Sequence, residues 1–321
     1  MIRLSWPSLG LTALLLAGCG PGSSDKPAST LPAAPANATA TATTPAAAAT
    51  GAPSAPIEAI TASGVEVVYI PGGSFVMGSD HGSRDEAPAH KVTVTGFLMD
   101  KFEVTHELFA KAQLPDPSHW RDNPRGPVER VRWRDAKQYC NERSQLEGLK
   151  PCYNEKTPDW DCDYTASGYR LPTEAEWEFA SLAGTAGPYE FGTADKLRQF
   201  GWFAENSESK THTVGQKKAN RWGLQDLYGN VSEWCEDVYS STFYQNSPAV
   251  DPTGPAGTGA DVRRVIKGGS WKSSADQCRS AARQGEVTGD SDACFSTDFC
   301  GFRCVRRISA ADLAKLKPGG K

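Results

Sequence analysis

The chain has 321 residues, 39% of them hydrophobic, and a formal net charge of −4 from 34 basic and 38 acidic side chains. That apolar share is enough for a packed core, and charges interspersed in this way give no clustered basic face, which excludes nucleic acid as a partner.

In chain order, Arg3 precedes a short apolar run, LTALLLAG, that ends in the tetrapeptide Leu16 to Cys19, LAGC. The run is too short to span a bilayer and reads as the centre of an export signal. LAGC resembles the bacterial lipobox, which implies removal of residues 1–18 and lipidation of Cys19 as a palmitate-bearing membrane anchor. Gly20 after the cysteine points to the outer membrane, with the protein facing the periplasm or the cell surface. Residues 19–62 are mostly Ala, Pro, Thr and Ser with few large apolar side chains, so they cannot offset their ordering entropy and read as a disordered tether. The folded domain is expected over 63–310, and 311–321 as a flexible tail.

Within the domain, VEVVYIPGGSFVMGS reads as two strands around a Pro-Gly-Gly reversal. HKVTVTGFLMDKFEVT alternates apolar and polar residues until Thr105, a candidate N-cap, opens a helix. RWRDAKQYCNERSQLEG has helical spacing and stops at Gly148, and RLPTEAEWEFA carries a capping box, Thr173 with Glu176, with Trp177 and Ala180 facing inward. Beyond it lie long loops and short strands such as RRVIK and FRCVRR. DHGSRDEAPAH reads as a charged surface loop.

Eight cysteines remain after Cys19, an even number that in an exported chain reads as disulfides. No CxxC pair occurs, and the five histidines lie far from the cysteines in sequence, which argues against structural zinc.

With these segments placed, the chain resembles the formylglycine-generating enzyme, or sulfatase-modifying factor, family. The resemblance rests on IPGGSFVMGS, FEVTHELF, GYRLPTEAEWEFA, WGLQDLYGNVSEWCEDVY, VIKGGSW, CRSAAR and GFRC, in that order. It implies an α+β, C-type-lectin-related fold with little regular secondary structure and long loops. It also implies a calcium site in DLYGNVSEW, with the side chains of Asp226 and Glu233 and the carbonyls of Gly229 and Val231 as hard oxygen ligands. A second family site falls near Asn206, without an evident acidic partner.

In the family's enzymes two cysteines after a Gly-Gly-Ser hold Cu(I) and oxidise a substrate cysteine with O2. Here Gly268, Gly269 and Ser270 lead into Trp271, and Ser273 stands where the first cysteine belongs. Counted without a gap, Cys278 falls on the second. Anchored instead on RSAAR, the stretch implies a short deletion, and Ser280 then replaces a cysteine whose family partner corresponds to Ser181. The paired loss supports the gapped alignment and leaves a degenerate site, Ser270, Trp271, Ser273 and Cys278, for which copper is not expected.

The resemblance also implies a Cys140–Cys304 disulfide. Cys152 and Cys162 bracket a short loop, as do Cys294 and Cys300, which suggests Cys152–Cys162, Cys294–Cys300 and Cys235–Cys278 as the other pairings, with a free Cys278 thiol as the alternative. The reading preferred on sequence is a calcium-stabilised binding or assembly module that meets an envelope protein or peptide. One alternative is an oxidoreductase of different chemistry, like the periplasmic protein of pyoverdine maturation, using Ser270, Trp271, Glu286, Arg283 and Arg303. The other is formylglycine generation itself, through a pair such as Cys294 and Cys300.

Overall fold

The computed structural model describes residues 56–259, 262–289 and 297–318. The described part opens with β1 (Ile57–Ile60), β2 (Glu66–Ile70), β3 (Gly73–Met77), β4 (His90–Val94) and β5 (Phe97–Asp100). Helices α1 (His106–Lys111), α2 (Trp133–Leu146), α3 (Glu174–Leu182) and α4 (Leu197–Phe200) follow. Then come β6 (Ser232–Val238), β7 (Arg263–Lys267), β8 (Gln284–Val287), β9 (Cys300–Gly301), β10 (Val305–Arg306), α5 (Ala310–Leu313) and β11 (Lys317–Pro318).

The described strands form three sheets, in the orders β10-β5-β2-β1-β11, β3-β4 and β8-β7-β6-β9, with β9 parallel to β6. Strand β2 shows why the first sheet forms. Val68 and Ile70 enter one core cluster with Phe97, Met99 and Val305, while Val67 and Tyr69 enter another with Ala59 and Leu98. A strand covered on both faces has no polar side to alternate with, hence the near-continuous run EVVYI.

Helix α3 is buried at all nine positions. The Thr173 side chain accepts the Glu176 N–H at 3.2 Å and Glu176 Oε2 accepts the Thr173 N–H at 2.9 Å, the expected capping box. Its three glutamates each meet a cation: Glu174 with Arg283 at 2.7 Å, Glu176 with Arg170 at 2.6 Å and Glu178 with Lys267 at 3.0 Å. A helix this acidic can be interior because its charges are paired there.

The domain limits extend beyond those expected. Residues 57–60 fall inside the anticipated tether yet form β1, antiparallel to β2, with Ala59 buried. Residues 317–318, placed in the tail, form β11 against β1. Strand β6 also goes beyond the sequence reading: SEWCEDV is buried at six of seven positions and sits centrally between β7 and β9, where no period-two pattern survives. Cys19, the signal and the tether up to residue 55 lie outside the described residues. Among the described residues no helix is long and apolar enough to cross a membrane.

Candidate functional site

Strand β7 is followed by Gly268 and Gly269, both in the left-handed region at φ 89° and 68°. A side chain would not fit at Gly269, where a Cβ would stand 2.7 Å from Cys278 Sγ. The turn delivers Ser270 and Ser273 against each other. The Ser270 N–H donates to Ser273 Oγ at 3.0 Å, the two hydroxyl oxygens lie 3.2 Å apart, and the Ser273 N–H donates to the Ser270 carbonyl at 3.0 Å. Both serines are buried and satisfy one another.

Trp271 lies between them in sequence and is fixed on every side. Its N–H donates to the Asn230 carbonyl at 2.8 Å, its carbonyl accepts the Ser207 hydroxyl at 2.6 Å, and its indole N–H donates to the Asp298 carbonyl at 2.9 Å. Its ring meets Trp120 edge-on at 5.3 Å. Cys278 lies beneath this turn in the core, and burial pushes its thiol up to about 12, far from the thiolate range at neutral pH.

Behind Trp120 the structure places a group that sequence reasoning missed. Glu129 Oε1 accepts the Trp120 N–H at 3.0 Å and the His119 N–H, while Oε2 is buried with no partner among the described residues. Burial raises the Glu129 carboxyl to about 7, and nearby Asp298 adds to the rise. Beside it, His106 Nδ1 lies 2.8 Å from Asp116 Oδ2. Burial works upward on Asp116, but hydrogen bonds with His106 and Ser118 hold it at about 2. No local motif marks these residues, because Glu129 gains its role from a loop about ten positions upstream.

The residues expected to hold calcium lie on the segment that leads into β6 and at its start. Gly229, at φ 107°, could carry no side chain, since a Cβ would lie 2.0 Å from the Trp202 carbonyl oxygen. Asp226 Oδ2 accepts the Gly215 N–H at 2.6 Å, and Oδ1 is buried without a partner. Glu233 is held by Arg303 through two contacts of 2.7 Å and by the Trp177 indole N–H at 2.8 Å. Glu103 adds a third buried carboxylate, accepting from Val231 N–H at 3.0 Å and from the Asn230 amide at 2.6 Å.

Burial raises Asp226 to about 6 and drives Glu103 up too, with the neighbouring carboxylates adding to both. The carboxylates of Glu103, Asp226 and Glu233 lie around the Arg303 guanidinium, which already engages both oxygens of Glu233. Among the described residues no three His, Cys, Asp or Glu side chains converge as a cage, so an ion here would depend on main-chain carbonyls. Asn206 instead clasps its own turn, accepting the Phe203 N–H at 2.8 Å and donating to the Gly201 carbonyl at 3.0 Å.

Residues 54–308 match the sulfatase-modifying factor enzyme 1-like domain. The chain belongs to the sulfatase-modifying factor family. It is 37% identical over 251 residues to the serine/threonine-protein kinase pkn1 of Chlamydia pneumoniae, a match that covers 76% of this chain but 38% of that protein. The chain therefore spans well under half the length of that relative. It is 33% identical to the formylglycine-generating enzyme of Streptomyces coelicolor, with 74% of this chain and 88% of that one covered. The chaperone protein LppX of Paenibacillus barcinonensis is 32% identical, with 65% and 79% covered. Among solved structures, Treponema denticola variable protein 1 superposes with a TM-score of 0.69 at 32% identity, over 79% of this chain and 99% of that one. The mixed, helix-poor architecture is thus the formylglycine-generating enzyme fold.

The sulfatase-modifying factor fold positions the remaining candidates. Cys140 and Cys304 lie with their sulfurs 3.6 Å apart, both buried. Cys152 and Cys162 sit on adjoining segments, joined by the Asp163 N–H to the Cys152 carbonyl at 2.7 Å. Cys235 and Cys278 share a core cluster in different surroundings, Cys235 near Asp237, Glu174 and Lys267, Cys278 against Gly269. None of the seven described cysteines is cross-linked in this structure. Cys294 lies outside the described residues, and Cys300 is buried in β9. Arg283 and Arg303 are committed to Glu174 and Glu233, and Glu286 caps its own strand by accepting the Val287 N–H at 2.9 Å.

Proposed function

We propose that this sulfatase-modifying-factor domain is a binding or assembly module of a lipid-anchored envelope protein, displayed from the outer membrane through Cys19, and that it does not generate formylglycine with copper. The observation that carries the reading is the Ser270–Ser273 hydrogen-bonded pair at the end of the Gly268–Gly269 turn. A Cu(I) site needs soft thiolates, and hydroxyls stand there instead. The buried Cys278 thiol, raised to about 12, is a poor substitute. Similarity to a protein named as a chaperone agrees with a domain whose work is contact rather than oxidation.

In this reading Asp226 and Glu233, with the carbonyls of Gly229 and Val231, hold calcium that pins the loop before β6, and Asp226 Oδ1 is the oxygen left free for it. Disulfides Cys140–Cys304, Cys152–Cys162, Cys235–Cys278 and Cys294–Cys300 complete the cross-linking, as suits an oxidising compartment. The ion serves structure here, as a charge balance for buried carboxylates.

A second reading, an oxidoreductase of different chemistry, is favoured by Glu129 alone, an acid near neutrality behind the Trp120–Trp271 contact. One experiment tests the exclusion of formylglycine generation. The full chain is supplied with Cu(I) and O2, and a sulfatase-motif peptide containing cysteine is followed by mass spectrometry. An unchanged peptide, from protein shown to be folded with calcium bound, is the expected result. Loss of the thiol with appearance of a hydrazide-trapping aldehyde would overturn the proposal.

A further inference from the structure

A trough of about 1010 Å³ opens beside β3, between the loop that follows that strand, the turn beyond α3 and the segment carrying Asp276 and Arg279. None of Ser270, Trp271, Ser273, Trp120 or Glu129 lines it. Strand β3 has β4 as its only strand neighbour among the described residues.

The direction of the free main-chain groups follows from β4. The Thr93 N–H donates to the Ala249 carbonyl at 2.8 Å, and the Thr93 carbonyl accepts the Asp251 N–H at 2.9 Å. Both groups of Thr93 therefore point away from β3. Thr93 faces Ser74 in the ladder, so this is a non-hydrogen-bonded pair, the kind in which side chains approach closely, and the two hydroxyls lie 2.7 Å apart. By alternation, the N–H and C=O of Ser74 and Val76 project from the opposite edge of β3, into the trough. Gly78, next in that series, uses its N–H on Glu178 Oε1 at 2.7 Å. For Ser74 and Val76 no partner occurs among the described residues, and Val76 is 58% exposed.

Exposed strand edges are usually guarded by Lys, Pro, a bulge or a covering loop. GSFVM carries neither Lys nor Pro, and its register with β4 runs without a bulge. Phe75, Phe179 and Leu182 supply an apolar wall for alternate side chains of an added strand. The charge is one-sided. Arg279 is consumed by Glu86 through two contacts of 2.7 Å, and Lys267 by Glu178 at 3.0 Å. Asp80 and Asp276 line the same trough, are exposed, and enter no salt bridge among the described residues.

We infer that β3 receives an extended, basic segment of a partner protein as an additional strand, its main chain paired with Ser74 and Val76 and its cationic side chains facing Asp80 and Asp276. The inference deepens the binding-module reading and rests on it by naming the class of partner.

The test uses the full chain and a fluorescein-labelled peptide of alternating Lys and Val, with a counterpart in which Glu replaces Lys, read by fluorescence anisotropy. The basic peptide is expected to bind, and the acidic one at least about tenfold more weakly. Val76→Pro removes an N–H that faces the trough and spares the ladder with β4, so it is expected to weaken binding about tenfold. Asp80→Lys with Asp276→Lys, both exposed, is expected to invert the preference between peptides, and it decides the matter if Val76→Pro does not fold. Equal binding of the two peptides, or wild-type binding by folded Val76→Pro, would sink the proposal. So would a concentration-dependent dimer in sedimentation that Val76→Pro abolishes, which would assign the edge to a second copy. Aldehyde formation in the peptide-oxidation assay would instead overturn the binding-module reading while leaving these affinities as measured.

Discussion

Ser181, in the last turn of α3, and Ser280, beyond Cys278, are both fully buried and meet at one hydroxyl: Tyr228 Oη donates to the Ser181 carbonyl at 2.8 Å and lies 3.5 Å from Ser280 Oγ. The gapped sequence alignment takes these two serines as replacements for a bonded pair of cysteines, and the fold brings them to one place. Ser181→Cys with Ser280→Cys is therefore expected to cross-link during oxidative refolding. Closing so long a loop should add about 4 kcal/mol. Denaturant titration with and without reductant checks it, and a double variant whose thiols both remain titratable would count against the alignment.

Arg303 pairs with Glu233 through two contacts of 2.7 Å, with Glu103 and Asp226 beside it. Arg303→Met would leave Glu233 buried without its partner, which is expected to cost about 3–5 kcal/mol. Urea unfolding of the two proteins measures the difference; a loss below about 1 kcal/mol would mean that the pair is far better solvated than its geometry indicates.

In the proposed calcium-bound form, removal of the ion is expected to lower the melting temperature, because an ion bound only by the folded state stabilises it by about 2.7 kcal/mol at a hundredfold excess over Kd. Asp226→Asn should be less sensitive to chelator than the wild type, as it removes the charge of the oxygen that has no other partner. Calorimetric scans with and without EGTA show this, and equal chelator shifts in both proteins would remove Asp226 from the ligand set.

Glu129 gives a pH dependence of definite sign. Its carboxyl stands at about 7 when folded against an ordinary 4.5, so the folded state holds this proton more tightly than the unfolded chain. The stabilisation is complete below about 4.5 and is lost as pH rises through about 7. Glu129→Gln keeps an acceptor for the Trp120 N–H and should flatten that part of the profile. Thermal melts in steps from pH 4 to 8 decide, an unchanged slope in the variant being the contrary result.

What could be read from sequence was what local chemistry determines. Thr173 and Glu176 announce the start of α3 because a capping box is complete within four residues, and Gly148, at φ 69°, marks the stop after α2. Strand β6 escaped because its two buried faces erase the alternation that would reveal it. Glu129 escaped for another reason, since its neighbours His119 and Trp120 acquire meaning only when the loop folds back over it. The domain limits depended on Ala59 finding Pro318 from the other end of the chain, a register that no window of sequence contains.

That last pairing has an architectural consequence. Strands β1 and β11, the first and last in the described domain, run side by side at one border of the five-stranded sheet. Entry and exit then share a doorway, and a domain built so can be spliced into a longer polypeptide, or hung from either flank, with little disturbance to its interior. The same geometry suits a domain whose likeness covers only 38% of a longer kinase and most of a shorter chaperone.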